Sequence, residues 1–273
     1  MEKLIITIAP NGSLPTKEMN PNVPITPQEM IEDITRCYNA GATVCHIHAR
    51  DKNQKTCHDP EYFKAVVDGV KANTNMITQI STGGRASFDP ESRLQGLKAC
   101  PEMASLSTGS CNFDDHVYEN SPEHVELYAK RMLEQNVKPE FECFDLSHVY
   151  AGRKLMDKGL AGAGKPYFNL ILGVRGALPY DPRHLQAMVD ALPEGAVWNS
   201  LGVGAAQLKM AVHAILWGGH VRVGLEDNLY YTKGVLASNV QLVERIVRLA
   251  HELGREVATP DEARQILGLP LLK

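Results

Sequence analysis

Leu4-Ile5-Ile6-Thr7-Ile8-Ala9, followed directly by Pro10-Asn11-Gly12-Ser13-Leu14-Pro15, is the stretch on which the fold turns. The first six residues form an apolar, β-branched run of strand length. In a doubly wound sheet the turn after such a strand is glycine-rich, so that backbone N–H groups can cradle a phosphate. Here that turn holds two prolines and a single glycine. It is a poor cradle, which argues against the open sheet.

Working outward, seven more runs of the same kind follow: Thr43–His48, Met76–Ser81, Met103–Ser107, Glu140–Phe144, Tyr167–Leu172, Ala196–Ser200 and His220–Val223. Helical patterns alternate with them. Thr26-Pro27 with Glu29 reads as an N-cap, N1-proline and capping box for a helix ending near Gly41. Further helices are expected over Pro60–Ala72, from Asp89-Pro90 to Lys98, from Ser121-Pro122, over Ser147–Lys158, from Asp181-Pro182, over Ala205–Trp217 and over Asn239–Leu253. Eight strand–helix units with near-continuously apolar strands indicate a parallel α/β protein. That count predicts a single closed (β/α)8 TIM barrel over residues 1–273, with 254–273 as a C-terminal extension. The late apolar run Ile266-Leu267-Gly268-Leu269-Pro270-Leu271-Leu272 suggests burial against a neighbouring subunit, in a homo-oligomeric dimer or tetramer, with folding back onto its own barrel as the alternative.

Composition narrows the class. The chain has 273 residues, 44% hydrophobic and 22% charged, with 28 Lys+Arg against 32 Asp+Glu and a net charge of −4. Neither sign is clustered, so no nucleic-acid partner is expected. No apolar run approaches the roughly 20 residues of a membrane span, and no signal-peptide pattern opens the chain. Six scattered cysteines without a Cys-x-x-Cys pair read as reduced thiols in a cytoplasmic protein. Cys45 and Cys143 fall within expected strands, as small apolar fillers.

Barrel enzymes place their chemistry at the C-terminal ends of the strands. Those ends are unusually polar here. His46 and His48 lie two apart on the second strand, so both face inward while Ile47 faces the helices. Two converging imidazoles are natural zinc ligands, and a carboxylate is the usual third. The eighth strand closes beside the first, so Glu226 or Asp227 is placed to complete the set. The plain alternative pairs the histidines with each other or with Glu142. His148, near the end of the fifth strand, is a reserve ligand, whereas His213 and His220 read as structural and His58, His116 and His124 as solvated.

Arg222 stands five residues ahead of Asp227, and its planar fork suits a carboxylate or enolate. With Glu226 on a metal, Asp227 is left as a general base oriented by Arg222 and by a hydroxyl. Ser81-Thr82-Gly83-Gly84 offers hydroxyls and open N–H groups for a carboxylate or phosphate. Ser105 and Ser107 end the fourth strand. Gly202-Val203-Gly204-Ala205 follows the seventh strand, where barrels often bind phosphate.

The run Gly219-His220-Val221-Arg222-Val223-Gly224-Leu225-Glu226-Asp227-Asn228 does not stand alone. Together with Cys45-His46-Ile47-His48-Ala49-Arg50, Ser81-Thr82-Gly83-Gly84, Pro101-Glu102-Met103-Ala104-Ser105-Leu106 and Glu140-Phe141-Glu142 it resembles the β-keto acid cleavage enzymes. Their founding activity is 3-keto-5-aminohexanoate cleavage in lysine fermentation. The likeness spans essentially the whole chain. It implies a zinc-dependent (β/α)8 enzyme that condenses a β-keto acid with acetyl-CoA, giving acetoacetate and a new acyl-CoA. His46, His48 and Glu226 match the family's metal ligands. Arg222 and Asp227 match the polar pair at the reacting centre, with Ser81 beside them, and Gly84 and Ser105 match substrate contacts. Glu142 matches an acid of the fifth strand.

One departure stands out. In members acting on amino-substituted keto acids, the loop after the first strand carries an acid that meets the substrate ammonium, and Leu14 occupies that place here. A leucine cannot pair with an ammonium, so the resemblance implies an uncharged or apolar substrate tail. Glu18 is the nearest acid. Two rival functions are a metal hydrolase of the amidohydrolase type and a non-catalytic metabolite-binding barrel. The hydrolase puts its His-x-His on strand one and adds Lys and His on later strands, whereas here strand one has no His and strands four and six end without Lys or His.

Overall fold

In the computed structural model, which describes residues 1–83, 89–114 and 116–272, eight parallel strands close into a barrel. They are β1 (Ile6–Ile8), β2 (Val44–Ile47), β3 (Ile77–Ile80), β4 (Met103–Ser107), β5 (Lys138–Cys143), β6 (Tyr167–Leu172), β7 (Val197–Gly202) and β8 (His220–Val223). Each strand pairs with the next in sequence, and β8 closes on β1 through Ile6–Val221, Thr7–Arg222 and Ile8–Val223. The barrel predicted from the alternation of runs and helices is the observed fold. Among the described residues no helix is long and apolar enough to cross a membrane.

The helices begin where the local chemistry says they should. α1 (Pro27–Asn39) carries the expected capping box between Thr26 and Glu29. Asp59, Ser121 and Asp181 cap α2 (Pro60–Asn73), α4 (Pro122–Glu134) and α6 (Pro182–Asp190), each with proline at the first turn. α5 is Leu146–Asp157, α7 is Gln207–Trp217 and α8 is Asn239–Glu252.

Three expectations need correction. β1 is shorter than Leu4–Ala9 because Leu4 leaves the barrel to exchange backbone hydrogen bonds with Glu256 and Ala258. The helix expected over 89–98 stops early: α3 covers only Pro90–Arg93, and a 3-10 turn runs over Gln95–Ala99. The cause is close packing. A Cβ on Gly96 would sit 2.7 Å from Ile80 Cδ1, so backbone rather than side chain meets the barrel there.

The third correction concerns the C-terminal extension. It forms a further helix, α9 (Pro260–Leu267), with its own Thr259–Glu262 capping box. Ala258, Ala263 and Leu267 close the base of the barrel against Ile5, Val44, Ile77, Met103, Tyr167 and Val197. Folding back buries Leu267 and partly buries Ile266 and Leu269. Leu271 and Leu272 beyond it are exposed.

Candidate active site

The mouth of the barrel is built from β2 and the loop after β8. His46 is almost fully buried on β2, and His48 follows on the same side of the chain with its Nε2 3.2 Å from His46 Nε2. Burial pushes the His46 imidazole down to about 3, which keeps it neutral and able to offer a lone pair. Glu226 completes a triangle: its Oε1 lies 3.2 Å from His48 Nε2 and 3.8 Å from His46 Nε2.

Two glycines bring Glu226 there. A Cβ on Gly224, at φ +151, would lie 2.0 Å from the Ala9 carbonyl oxygen, so only glycine lets the end of β8 press onto β1. Gly12, at φ +58, packs so closely that a Cβ would meet Glu226 Cγ at 2.4 Å. The proline-bounded turn after β1 is therefore a seat for this carboxylate.

Arg222, inward on β8, holds three acids. Its Nε and Nη2 donate to both oxygens of Asp227, at 3.1 and 3.0 Å, and Nη2 also donates to Glu226 Oε1. Nη1 donates to Glu142 Oε1 at 3.4 Å, and Ser107 Oγ donates to the other Glu142 oxygen at 3.1 Å. Burial alone would raise every carboxyl in this cluster. For Glu226 the Arg222 charge prevails and, with the contact to His48, holds it well below the usual range. For Asp227 burial prevails with help from the neighbouring acids, and its pKa rises. Glu142 is likewise raised by burial against the pull of Arg222.

The donor set fits a divalent cation. His46, His48 and Glu226 each aim one ligand atom into a space where all lie within 4.8 Å of one another. Tetrahedral coordination with bonds of about 2.0–2.1 Å sets neighbouring ligand atoms roughly 3.3 Å apart, close to the spacings here. The second Glu226 oxygen is buried with no hydrogen-bond partner, which suits a carboxylate awaiting a cation.

Beside this group opens a cavity of about 690 Å³. Its polar wall is His48, Ser81, Glu142, Arg222, Glu226 and Asp227, and Leu14 stands at the rim. The facing wall is largely apolar, with Phe113, Phe144, Ile171, Val174, Leu201 and Val203, and Asp114, His116 and Arg175 also line the cavity.

Over residues 3–269 the chain matches the family model of the beta-keto acid cleavage enzymes. It belongs to that family. The chain is 44% identical to a 3-keto-5-aminohexanoate cleavage enzyme of Fusobacterium nucleatum, over 98% of its own length and 99% of that one. The counterpart from Acetoanaerobium sticklandii is also 44% identical, with the same coverage. A 3-oxoadipate:acetyl-CoA acetyltransferase of Cupriavidus necator is 40% identical over 98% of this chain and 96% of its own length. Among solved structures, apo ObcA superposes with a TM-score of 0.79 over 91% of this chain and 66% of that one, at 22% identity, a likeness of fold. The family match sets aside the amidohydrolase-type and non-catalytic readings.

The structure gathers most of the residues singled out in the sequence, but not all. Of the two acids that strand geometry alone leaves open, Glu226, the one the resemblance implies, joins the histidine group. Thr82 turns away from the cavity and donates to the Ser105 carbonyl at 2.6 Å. Ser105 is buried below the cavity, and Ser107 acts behind Glu142 rather than on the open surface. Gly84 lies outside the described residues. His148 is no ligand: its Nδ1 accepts from the Phe144 amide and its Nε2 meets the Ser110 carbonyl. His58 is half-buried rather than solvated, which pushes its pKa down to about 4.

The apolar wall was missed. Ile171 and Leu201 share the inward parity of Asn169 and Asn199 on β6 and β7, a signal available from alternation alone. Phe113 and Tyr118 come from the loop after β4, and nothing in the sequence marks where that loop folds.

Proposed function

We propose that this protein is a zinc-dependent β-keto acid cleavage enzyme that exchanges acyl groups between a β-keto acid and acetyl-CoA. The β-keto acid R–CO–CH2–COO⁻ and acetyl-CoA would give acetoacetate and R–CO–CoA, so that every atom is accounted for. The observation that carries this reading is the His46–His48–Glu226 triangle beside Arg222 and Asp227, in a chain whose relatives are named as acetyl-CoA-dependent transferases.

A divalent cation held by His46, His48 and Glu226 would supply Lewis-acid polarisation of the keto group and a counter-charge for an enolate. The protein's own groups do the rest. Asp227, gripped at both oxygens by Arg222, is oriented to take a proton from the carbon between the two carbonyls and to return it. Arg222, kept charged by its three acids, faces developing oxyanion charge, and the Ser81 hydroxyl lines the same wall. The apolar wall excludes water, which protects the thioester from hydrolysis.

For the substrate tail, Leu14 at the cavity rim and the apolar wall support an uncharged or apolar group. Glu18 is exposed and does not line the cavity. Exposed Leu208, Leu216 and Trp217 on α7 support a homo-oligomer.

The deciding experiment couples metal analysis with a CoA-dependent acetoacetate assay over β-keto acids whose tails are apolar, anionic or cationic. One equivalent of zinc and fastest turnover of the apolar tail are expected. Preference for cationic tails would overturn the Leu14 argument, and turnover in metal-free protein would overturn the role given to the triangle.

A further inference from the structure

Directly beneath the two histidines the barrel carries a layer that is polar all the way round. Thr7, Gln79, Glu140 and Asn199 point inward from β1, β3, β5 and β7, and none has exposed surface. Branched apolar side chains usually fill such layers, because they pack without needing partners. Polar groups there demand an explanation, since a buried donor or acceptor left unpaired is costly.

The contacts of this layer lead towards the metal-binding triangle. His46 Nδ1 lies 2.7 Å from Gln79 Oε1. An amide oxygen only accepts, so Nδ1 carries the proton and Nε2 presents its lone pair to the mouth. The reverse orientation of the amide would reverse the tautomer. What decides the orientation lies one strand pair further on. Gln79 Nε2 and Glu140 Oε2 are both buried without a tight hydrogen bond of their own, and the Gln79 amide is among the groups that lower the Glu140 carboxyl against burial. The donor end of Gln79 therefore faces the carboxyl and its acceptor end faces His46. Glu140 is itself anchored, because its Oε1 accepts from Asn199 Nδ2 at 2.8 Å and Asn199 also reaches Tyr167 Oη at 2.7 Å.

We propose that Gln79 is the positioning residue of the His46 ligand, and that Glu140 behind it sets which end of the Gln79 amide faces the imidazole. The inference rests on the metal reading above. Without Gln79, His46 is free to carry its proton on Nε2, the form that cannot bind a cation through that nitrogen.

The test is zinc affinity, measured by competition with a chromophoric chelator, together with imidazole ¹⁵N NMR of the zinc-free protein. Gln79→Leu is expected to weaken zinc binding by about 10–100-fold and to release His46 from its Nδ1–H tautomer. Exchanging the two side chains, Gln79→Glu with Glu140→Gln, returns an acceptor to His46 and brings most of the affinity back. Thr7→Val, an isosteric change in the same layer at a residue with no hydrogen bond to Gln79 or His46, leaves affinity unchanged. Wild-type affinity and tautomer in Gln79→Leu overturn the inference and leave the metal reading standing. Wild-type protein that takes up no zinc overturns both. Should Gln79→Leu fail to fold, the exchanged pair decides: weak binding there overturns the proposal.

Discussion

Two buried arginines sit at opposite ends of this barrel, and they are surrounded differently. At the base, Arg264 of α9 grips Glu102 through two bonds of 2.8 and 2.9 Å. Its remaining donors go to Asn75, the Met76 carbonyl and the exposed Asp261. One buried cation meets one half-buried anion, and every donor has a place. At the mouth, Arg222 alone faces Glu142, Glu226 and Asp227. The base is balanced, and the mouth holds more negative charge than its arginine can neutralise. A balanced buried pair is what a joint between elements needs, whereas surplus charge at an open cavity is a place for a cation or a proton.

The comparison breaks most sharply at Glu226. Glu226→Gln should abolish zinc uptake and lower turnover on the order of 10³-fold, since a Lewis acid supplies several kcal/mol to such a step. Metal content and kcat measured on the same preparation check this. Retained zinc with unimpaired turnover would remove Glu226 from the site.

Next in size is the base. Arg264→Ala leaves Glu102 without its partner and should cost about 3 kcal/mol of stability. That corresponds to a melting point lower by about 5–10 °C. Activity per folded molecule should not change, because α9 closes the end of the barrel remote from the cavity. An equal loss of kcat at unchanged melting temperature would erase the distinction between the two arginines.

Arg222→Lys keeps the charge but not the fork that grips both Asp227 oxygens. We expect kcat/KM to fall about 10²-fold with little change in melting temperature. A large stability loss with intact turnover would make Arg222 structural, like its counterpart.

The smallest effect is one of pH, and it belongs to the base. His220 Nδ1 accepts from the Ile5 amide at 3.0 Å, and burial pushes the imidazole down to about 3. The unfolded chain, with an ordinary value near 6.5, therefore takes up the proton first. This contribution to stability is complete above about pH 6.5 and is lost progressively as pH falls towards 3. Between pH 7 and 5 the loss should be about 2 kcal/mol, read by urea unfolding. His220→Gln preserves an acceptor for Ile5 and should remove that share of the slope; an unaltered slope would clear His220 of the role.

Much of the mouth was legible before any coordinates. His46 and His48 announce themselves because residues two apart on a strand share a face, and strand ends are where a barrel keeps its chemistry. Ser81, Arg222 and Asp227 follow from the same reading of ends, whereas Leu14 stands out only through the family resemblance. The apolar wall did not, because Phe113 and Tyr118 reach it from a loop whose path no periodicity encodes. The C-terminal run stays open in the sequence for a related reason. Its apolar residues say that something covers them, but not whether the cover is this barrel or another chain.

By itself the sequence determined the order and number of the strands, the caps of the helices and which face of each strand turns inward. Those follow from local rules: period, capping chemistry and the conformational limits of proline and glycine. Only the tertiary structure decided that Gln79 stands behind His46, and that Arg222 is overmatched in charge while Arg264 is not. Each depends on groups far apart in the chain meeting at a few ångströms, where burial makes every charge and every hydrogen bond count.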